Sequence, residues 1–166
     1  MTFYSDLSRR TMVTSGRYVR AVGWLSRDQP FPKGAAAAKT VDRLHQFAAR
    51  WRESTHDLGW GLFRGLHRCE FCGQVRMFGN FGVPAGEILY VAPEMVSHYV
   101  ETHGYAPPSA FVAAVMSAPL PGTEEYTILV RQFRRLHRRA QVQRLWRAHQ
   151  RRSRKRQRPA RVSGDR

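Results

Sequence analysis

The feature that most constrains this chain is the placement of its only two cysteines. Cys69 and Cys72 form a single Cys-x2-Cys, and His98-x4-His103 follows after 25 residues. Two thiolates and two imidazoles suit the borderline-soft, tetrahedral preference of Zn²⁺. A closed set of four protein ligands is the signature of a structural site rather than a catalytic one. Gly73 permits the tight turn that aims both sulfurs at one point. The spacing therefore predicts one structural zinc ion per chain, held by Cys69, Cys72, His98 and His103.

Residues five apart on an ideal helix are separated by roughly 140° after one full turn, so His98 and His103 do not share a face of a regular helix. His103, however, precedes Gly104, where a helix can unwind. His67 competes as a ligand or as a neighbour of the ligands, because it lies two residues before Cys69 and would point to the same side of an extended segment. A redox reading of the Cys-x2-Cys is disfavoured. Such motifs normally open a helix, whereas Gly73 and the strand-forming residues after it do not. With both cysteines in one motif, none remains for a long-range disulfide, which fits a reducing cytoplasm.

Around this motif the pattern predicts an α+β chain. Arg17 to Leu25 is rich in β-branched and aromatic residues and reads as a strand, and Asp28 to Gly34, with two prolines, reads as a loop. Thr40 is placed to cap a helix reaching about Trp51, with Val41, Leu44, Ala48 and Trp51 on one face. After a loop around His56 to Trp60, Leu62 to His67 leads into the Cys-x2-Cys. Val75 to Phe78 and Ile88 to Val91 read as short strands, with Gly79-Asn80 and Pro84-Ala-Gly86 as turn residues. A helix is expected from Pro93, with Glu94 favourably placed at its positive end, stopping at Gly104. Another opens at Pro108 or Ser109 and runs to about Met116 with Phe111, Val112 and Val115 as its stripe, ended by Pro119, Pro121 and Gly122. From Glu124 a longer helix shows an apolar seam of Leu129, Phe133, Leu136 and Ala140, which fades beyond about Gln150.

Three stretches resemble an uncharacterised family of small bacterial zinc-knuckle-like domains of unknown function: Gly65-Leu-His-Arg-Cys-Glu-Phe-Cys72, the Asn80-Phe-Gly-Val-Pro segment, and Ala92 to Pro108 with its His-Tyr-x3-His-x-Tyr-x-Pro-Pro pattern. Tyr4-Ser-Asp-Leu and Val22-Gly-Trp-Leu25 are similar too. The resemblance covers about residues 1–130. It implies a shared domain with metal ligands at Cys69, Cys72, His98 and His103, and it carries no activity.

Charge divides the chain further. Residues 1–130 hold 13 Lys or Arg against 11 Asp or Glu, a net of +2, whereas residues 131–166 hold 15 basic residues against Asp165 alone, a net of +14. The organisation expected is a zinc-binding α+β domain over 1–123, a basic C-terminal helix over 124–150 and a disordered arginine-rich tail over 151–166. Arginine makes planar two-pronged contacts with phosphate. The nucleic-acid candidates are therefore Arg134, Arg135, Arg138, Arg139, Arg144, Arg147, Arg151, Arg152, Arg154, Lys155 and Arg156, with Trp146 placed either to stack on a base or, equally, to make an apolar contact with the body. A solvated tail, another polyanion, an acidic protein or a membrane surface are the competing uses of such charge.

Other functions find less support in the residues. Met1-Thr-Phe-Tyr-Ser-Asp is no secretory start, and Ala106 to Gly122, with four prolines, is no membrane span. No nucleophile elbow, phosphate loop, dinucleotide fingerprint or carboxylate pair is visible. The expectation is a non-catalytic structural-zinc domain with a nucleic-acid-binding extension and no catalytic residue. The alternatives are a regulatory or immunity-type module that binds a protein partner, and a zinc-dependent hydrolase with an open metal position, for which Glu94, Glu101 and His67 are the available bases.

Overall fold

A computed structural model of the protein describes residues 2–53 and 62–156. Its α+β core is a four-stranded mixed sheet in the order β1-β4-β3-β2, formed by β1 (Val19–Ala21), β2 (Leu62–Arg68), β3 (Arg76–Ala85) and β4 (Ile88–Pro93). β3 pairs antiparallel with both β2 and β4, and β1 runs parallel to β4. The helices are α1 (Ala38–Glu53), α2 (Val96–His103), α3 (Ser109–Ser117) and α4 (Glu124–Arg156).

The central hairpin positions everything else. β3 and β4 turn through Gly86-Glu87 between the paired residues Ala85 and Ile88, with Gly86 at φ +56°. A two-residue hairpin loop demands such a left-handed backbone, which glycine adopts without a Cβ clash. Gly79-Asn80, expected at a turn, instead lies inside β3. A Cβ on Gly79 would stand 2.3 Å from Trp51 Cζ3 and 2.7 Å from Glu94 Cδ, so the glycine serves the close approach of α1 to the sheet. Phe47 of α1 packs on Phe81, their centroids 5.7 Å apart, and Phe111 of α3 packs edge-on to Tyr90 at 5.7 Å.

Several boundaries differ from those read in the sequence. α1 starts two residues before Thr40. Its amide already bonds Ala37 O at 2.8 Å, so Thr40 is a buried helical residue rather than the cap, and Phe47 joins Leu44, Ala48 and Trp51 on the buried face. Pro93 ends β4 opposite Asn80, and the Glu94 amide extends the ladder to Gly79 O at 3.0 Å, so α2 begins only at Val96. Strand pairing wins there over the N-terminal helix preference of Pro-Glu.

On α4 the buried face is Tyr126, Val130, Phe133 and His137, whereas Leu129 and Leu136 are about 40% exposed. Three contacts set that rotation: Tyr126 Oη donates to Gly82 O at 2.9 Å, Phe133 stacks on Tyr18 at 5.8 Å, and His137 Nδ1 meets Thr14 Oγ1 at 3.0 Å. The helix also continues to Arg156, so positions 151–156, expected to be disordered, are helical. The loop expected around His56 to Trp60, the side chain of Ala140 and residues 157–166 lie outside what is described. No helix among the described residues is long and apolar enough to cross a membrane.

Candidate metal centre

The Cys-x2-Cys is the turn of the β2–β3 hairpin. The last paired residues are Arg68 and Arg76, and the turn is closed by Cys69 N donating to Val75 O and Gly73 N to Cys69 O, each at 2.9 Å. Gly73 sits at φ +69°, a left-handed position reserved in practice for glycine. The Gln74 amide points at Cys72 Sγ, 3.5 Å away, and this hydrogen bond is the main reason the Cys72 thiol is pulled below its ordinary pKa.

The two histidines come from α2, His98 in its first turn and His103 as its last residue. Their five-residue spacing is reconciled at the helix end. Tyr99 O accepts the amides of both Gly104, at φ +65°, and Tyr105 at 3.0 Å. These bonds reach back five and six residues instead of four, which underwinds the final turn and swings His103 toward His98. The rings meet edge-on with centroids 4.8 Å apart.

The four side chains converge. Cys69 Sγ lies 3.3 Å from His103 Nε2, Cys72 Sγ lies 3.4 Å from His98 Nε2, and the two Nε2 atoms are 3.1 Å apart. All four donor atoms fall within 4.8 Å of one another. A tetrahedral ion with bonds of about 2.3 Å to sulfur and about 2.0–2.1 Å to nitrogen requires donors roughly 3.3–3.8 Å apart; the three contacts of 3.1–3.4 Å lie near the lower end of that range, and the widest separation, within 4.8 Å, would close on binding. Four lone-pair donors aimed at one point, with few protons to share among them, are satisfied together by a central cation. The cluster can hold a metal ion.

Its surroundings fix the four side chains. Thr102 Oγ1 is 3.1 Å from His98 Nδ1, one helical turn on, and holds the ring with Nε2 toward the sulfurs. Burial, then the neighbouring His103, push the His98 pKa down, while Glu101 opposes them. Phe71, between the cysteines, packs against Phe31, Tyr99 and His103 with centroids 5.4, 5.6 and 5.2 Å away. Glu70 ties the turn to the preceding loop, accepting from Ser26 Oγ and Arg27 N, each at 3.1 Å, while the Arg27 guanidinium donates to Glu70 O. Farther off, Asp6 accepts from Gly23 N at 3.0 Å and from Tyr105 Oη at 2.8 Å, so the N-terminal segment and the end of α2 are pinned to one carboxylate.

His67 does not join the cluster. It lies on β2 opposite Met77, and burial lowers its pKa. Glu94 is fully buried and accepts from Arg52 Nε at 2.7 Å and from Gly79 N at 3.1 Å, and Glu101 faces His45 Nε2 at 3.3 Å. Sequence reasoning passed over Thr102, Phe71 and Asp6. Thr102 is four residues from His98 and so on its helix face, a signal that was legible. Asp6 acts across 99 residues and left no local trace.

On α4, Arg135, Arg138, Arg139 and Trp146 are exposed and Arg134 is half-buried. Arg131, Arg134, Arg135 and Arg138 line a shallow cavity of about 260 Å³. Arg144, Arg147, Arg151, Arg152, Arg154, Lys155 and Arg156 occupy helical positions, and their side chains lie outside those described.

The family model for the domain of unknown function DUF7919 matches residues 2–116. The chain belongs to this family. The DUF7919 match ends within α3 and contains all four residues of the metal cluster, while α4 lies beyond it. No curated protein and no solved structure matches the chain.

Proposed function

We propose that this DUF7919 protein is a non-catalytic domain organised by one structural Zn²⁺, with α4 as a cationic arm that binds nucleic acid without sequence preference. The convergence of two sulfurs and two imidazole nitrogens within 4.8 Å carries the first half. Zinc suits that donor set, and four protein ligands complete its tetrahedron, leaving no position for a substrate. The ion would join the β2–β3 turn to α2, two elements otherwise held by the aromatic cluster around Phe71. Sulfurs free to ligate metal fit a reducing compartment such as the cytoplasm.

The charge distribution supports the second half. Arg135, Arg138 and Arg139 are exposed on the side of α4 opposite its buried face, and the segment from residue 131 carries nearly all the net charge of the chain. Contacts of this kind release counterions from phosphates, so affinity should fall linearly in log–log terms with salt. Purified protein should contain one zinc per chain by elemental analysis, and Cys72→Ser should lose it. Binding to random duplex, followed by fluorescence anisotropy, should weaken at least tenfold between low and moderate salt and should be abolished by Arg135→Glu/Arg138→Glu/Arg139→Glu with zinc content unchanged. Undiminished binding by that triple variant would place the contact elsewhere. A complex with a cellular protein that survives nuclease and the triple substitution would favour a protein-binding role.

A further inference from the structure

The tip of the β2–β3 hairpin has one face that takes no part in the metal cluster. Burial alternates along both strands, as a pleated ladder requires. Leu66 and Arg68 on β2, and Arg76 and Phe78 on β3, are exposed, whereas His67 and Met77 between them are half-buried. Met77 packs on the core and pairs with His67, so the four exposed residues stand on the other side of the hairpin. Leu66 and Phe78, 61% and 40% exposed, lie one step beyond the His67–Met77 pair. One step the other way, Arg68 and Arg76 are direct partners across the ladder, which brings their Cβ atoms to about 4.5–5.5 Å. Like charges set opposite one another destabilise a sheet, and neither guanidinium has a carboxylate within ion-pair distance among the described residues. Arg68 Nε donates to Gly73 O, which takes one donor of its fork and steadies the side chain over the turn.

Two cations that repel one another across a ladder are relieved by an anion lying between them. We propose that this face binds single-stranded nucleic acid, with a backbone phosphate bridging Arg68 and Arg76 and an unpaired base stacked on Phe78. The proposal takes its class of partner from the nucleic-acid reading above and adds a contact away from α4. Guanidinium groups grip phosphate through paired hydrogen bonds, and an aromatic ring accepts the flat face of any base. Residues two apart on a strand are separated by about 6.8 Å, so Arg76 and Phe78 match the offset between a phosphate and the base of its own nucleotide. Duplex does not fit, because paired bases are stacked on each other and show no face to the ring. The carboxylates of an acidic peptide would answer the two arginines but leave Phe78 and Leu66 uncovered, and the +14 charge of residues 131–166 already gathers polyanions to the chain. Beyond Arg68 the face opens into a shallow cavity of about 670 Å³ bordered by the turn. There Arg27 and Arg68 are offset by Asp28 and Glu70, so the cavity gives the strand room to continue without adding charge.

The test compares a short labelled oligothymidylate with an abasic oligonucleotide of equal length, by anisotropy at low salt with the full-length zinc-loaded protein. The abasic strand keeps every phosphate and removes every base. The unchanged protein should bind the oligothymidylate at least about fivefold more tightly, the contribution of one stacked base. Phe78→Leu keeps the apolar bulk and should erase that preference while leaving abasic binding unchanged. Arg76→Glu should weaken binding of both strands at least about fivefold, with zinc content retained in each variant. Arg135→Glu/Arg138→Glu/Arg139→Glu should weaken both strands and keep the preference, which separates the hairpin contact from α4. A preference that survives Phe78→Leu, or none in the unchanged protein, overturns the stacking seat, and full affinity in Arg76→Glu overturns the phosphate seat. Displacement of the oligothymidylate by polyglutamate at equal charge concentration would give the face to an acidic peptide instead. Failure of the unchanged protein to bind either strand or duplex at low salt removes the nucleic-acid reading itself, and the hairpin contact with it.

Discussion

Removal of the proposed zinc ion should loosen one end of the domain by an amount that the chain geometry sets. The cross-link from Cys72 to His98 closes a segment of 27 residues. On the chain-entropy treatment of cross-links, a loop of that size removes about 3.5 kcal/mol of unfolded-state freedom at 25 °C. Part of that closure is already supplied by the β3–β4 hairpin, which lies inside the segment. Against this, the stripped site must hold two Nε2 atoms 3.1 Å apart and two sulfurs within 3.4 Å of imidazole nitrogens without a cation. The net loss is expected near 4 kcal/mol or above, well below the roughly 10–16 kcal/mol of peptides that have no fold without zinc, because the aromatic core remains. For a domain of this size each kcal/mol moves the melting temperature by about 2–4 °C, so chelation should lower it by roughly 8–16 °C. Thermal melts followed by circular dichroism, with elemental analysis confirming metal removal, give the measurement. Cys72→Ser should reproduce the shift without chelator. A metal-free protein melting within 2 °C of the untreated one would refute the claim that the ion ties the turn to α2.

Other consequences are checked as directly. Because burial holds His98 below its ordinary pKa of 6.5, the folded state binds fewer protons than the unfolded chain, so stability is fully present above about pH 6.5 and is lost as the pH falls below it. Urea melts at pH 7.5 and 5.5 should show the drop together with zinc release. Thr102→Val keeps the helix but removes the partner of His98 Nδ1, and competition with a chromophoric chelator should show zinc affinity reduced about 10- to 100-fold. Gly79→Ala forces a Cβ into Trp51 and Glu94 and should cost about 1–3 kcal/mol in urea unfolding, with zinc content retained.

The sequence determined the four donor residues, because ligand chemistry and spacing are local and sparse. It also determined the class of the fold, the stop of α2 at Gly104 and the split between a near-neutral body and a cationic extension. It could not decide where Gly79-Asn80 or Pro93-Glu94 would go. Both pairs have turn or helix-start chemistry locally, and both were drawn into the β3–β4 ladder by long-range pairing and by Trp51 pressing on Gly79. Nor could it set the rotation of α4, since Leu129 and Leu136 are as apolar as the residues that are buried. The contacts of Tyr126, Phe133 and His137 with distant segments chose among apolar stripes that periodicity leaves nearly equivalent. The closure of the metal cluster was likewise tertiary. Two histidines five residues apart meet only because Tyr99 O accepts from beyond the helix end and unwinds its last turn, a geometry that residue spacing permits and the folded chain selects.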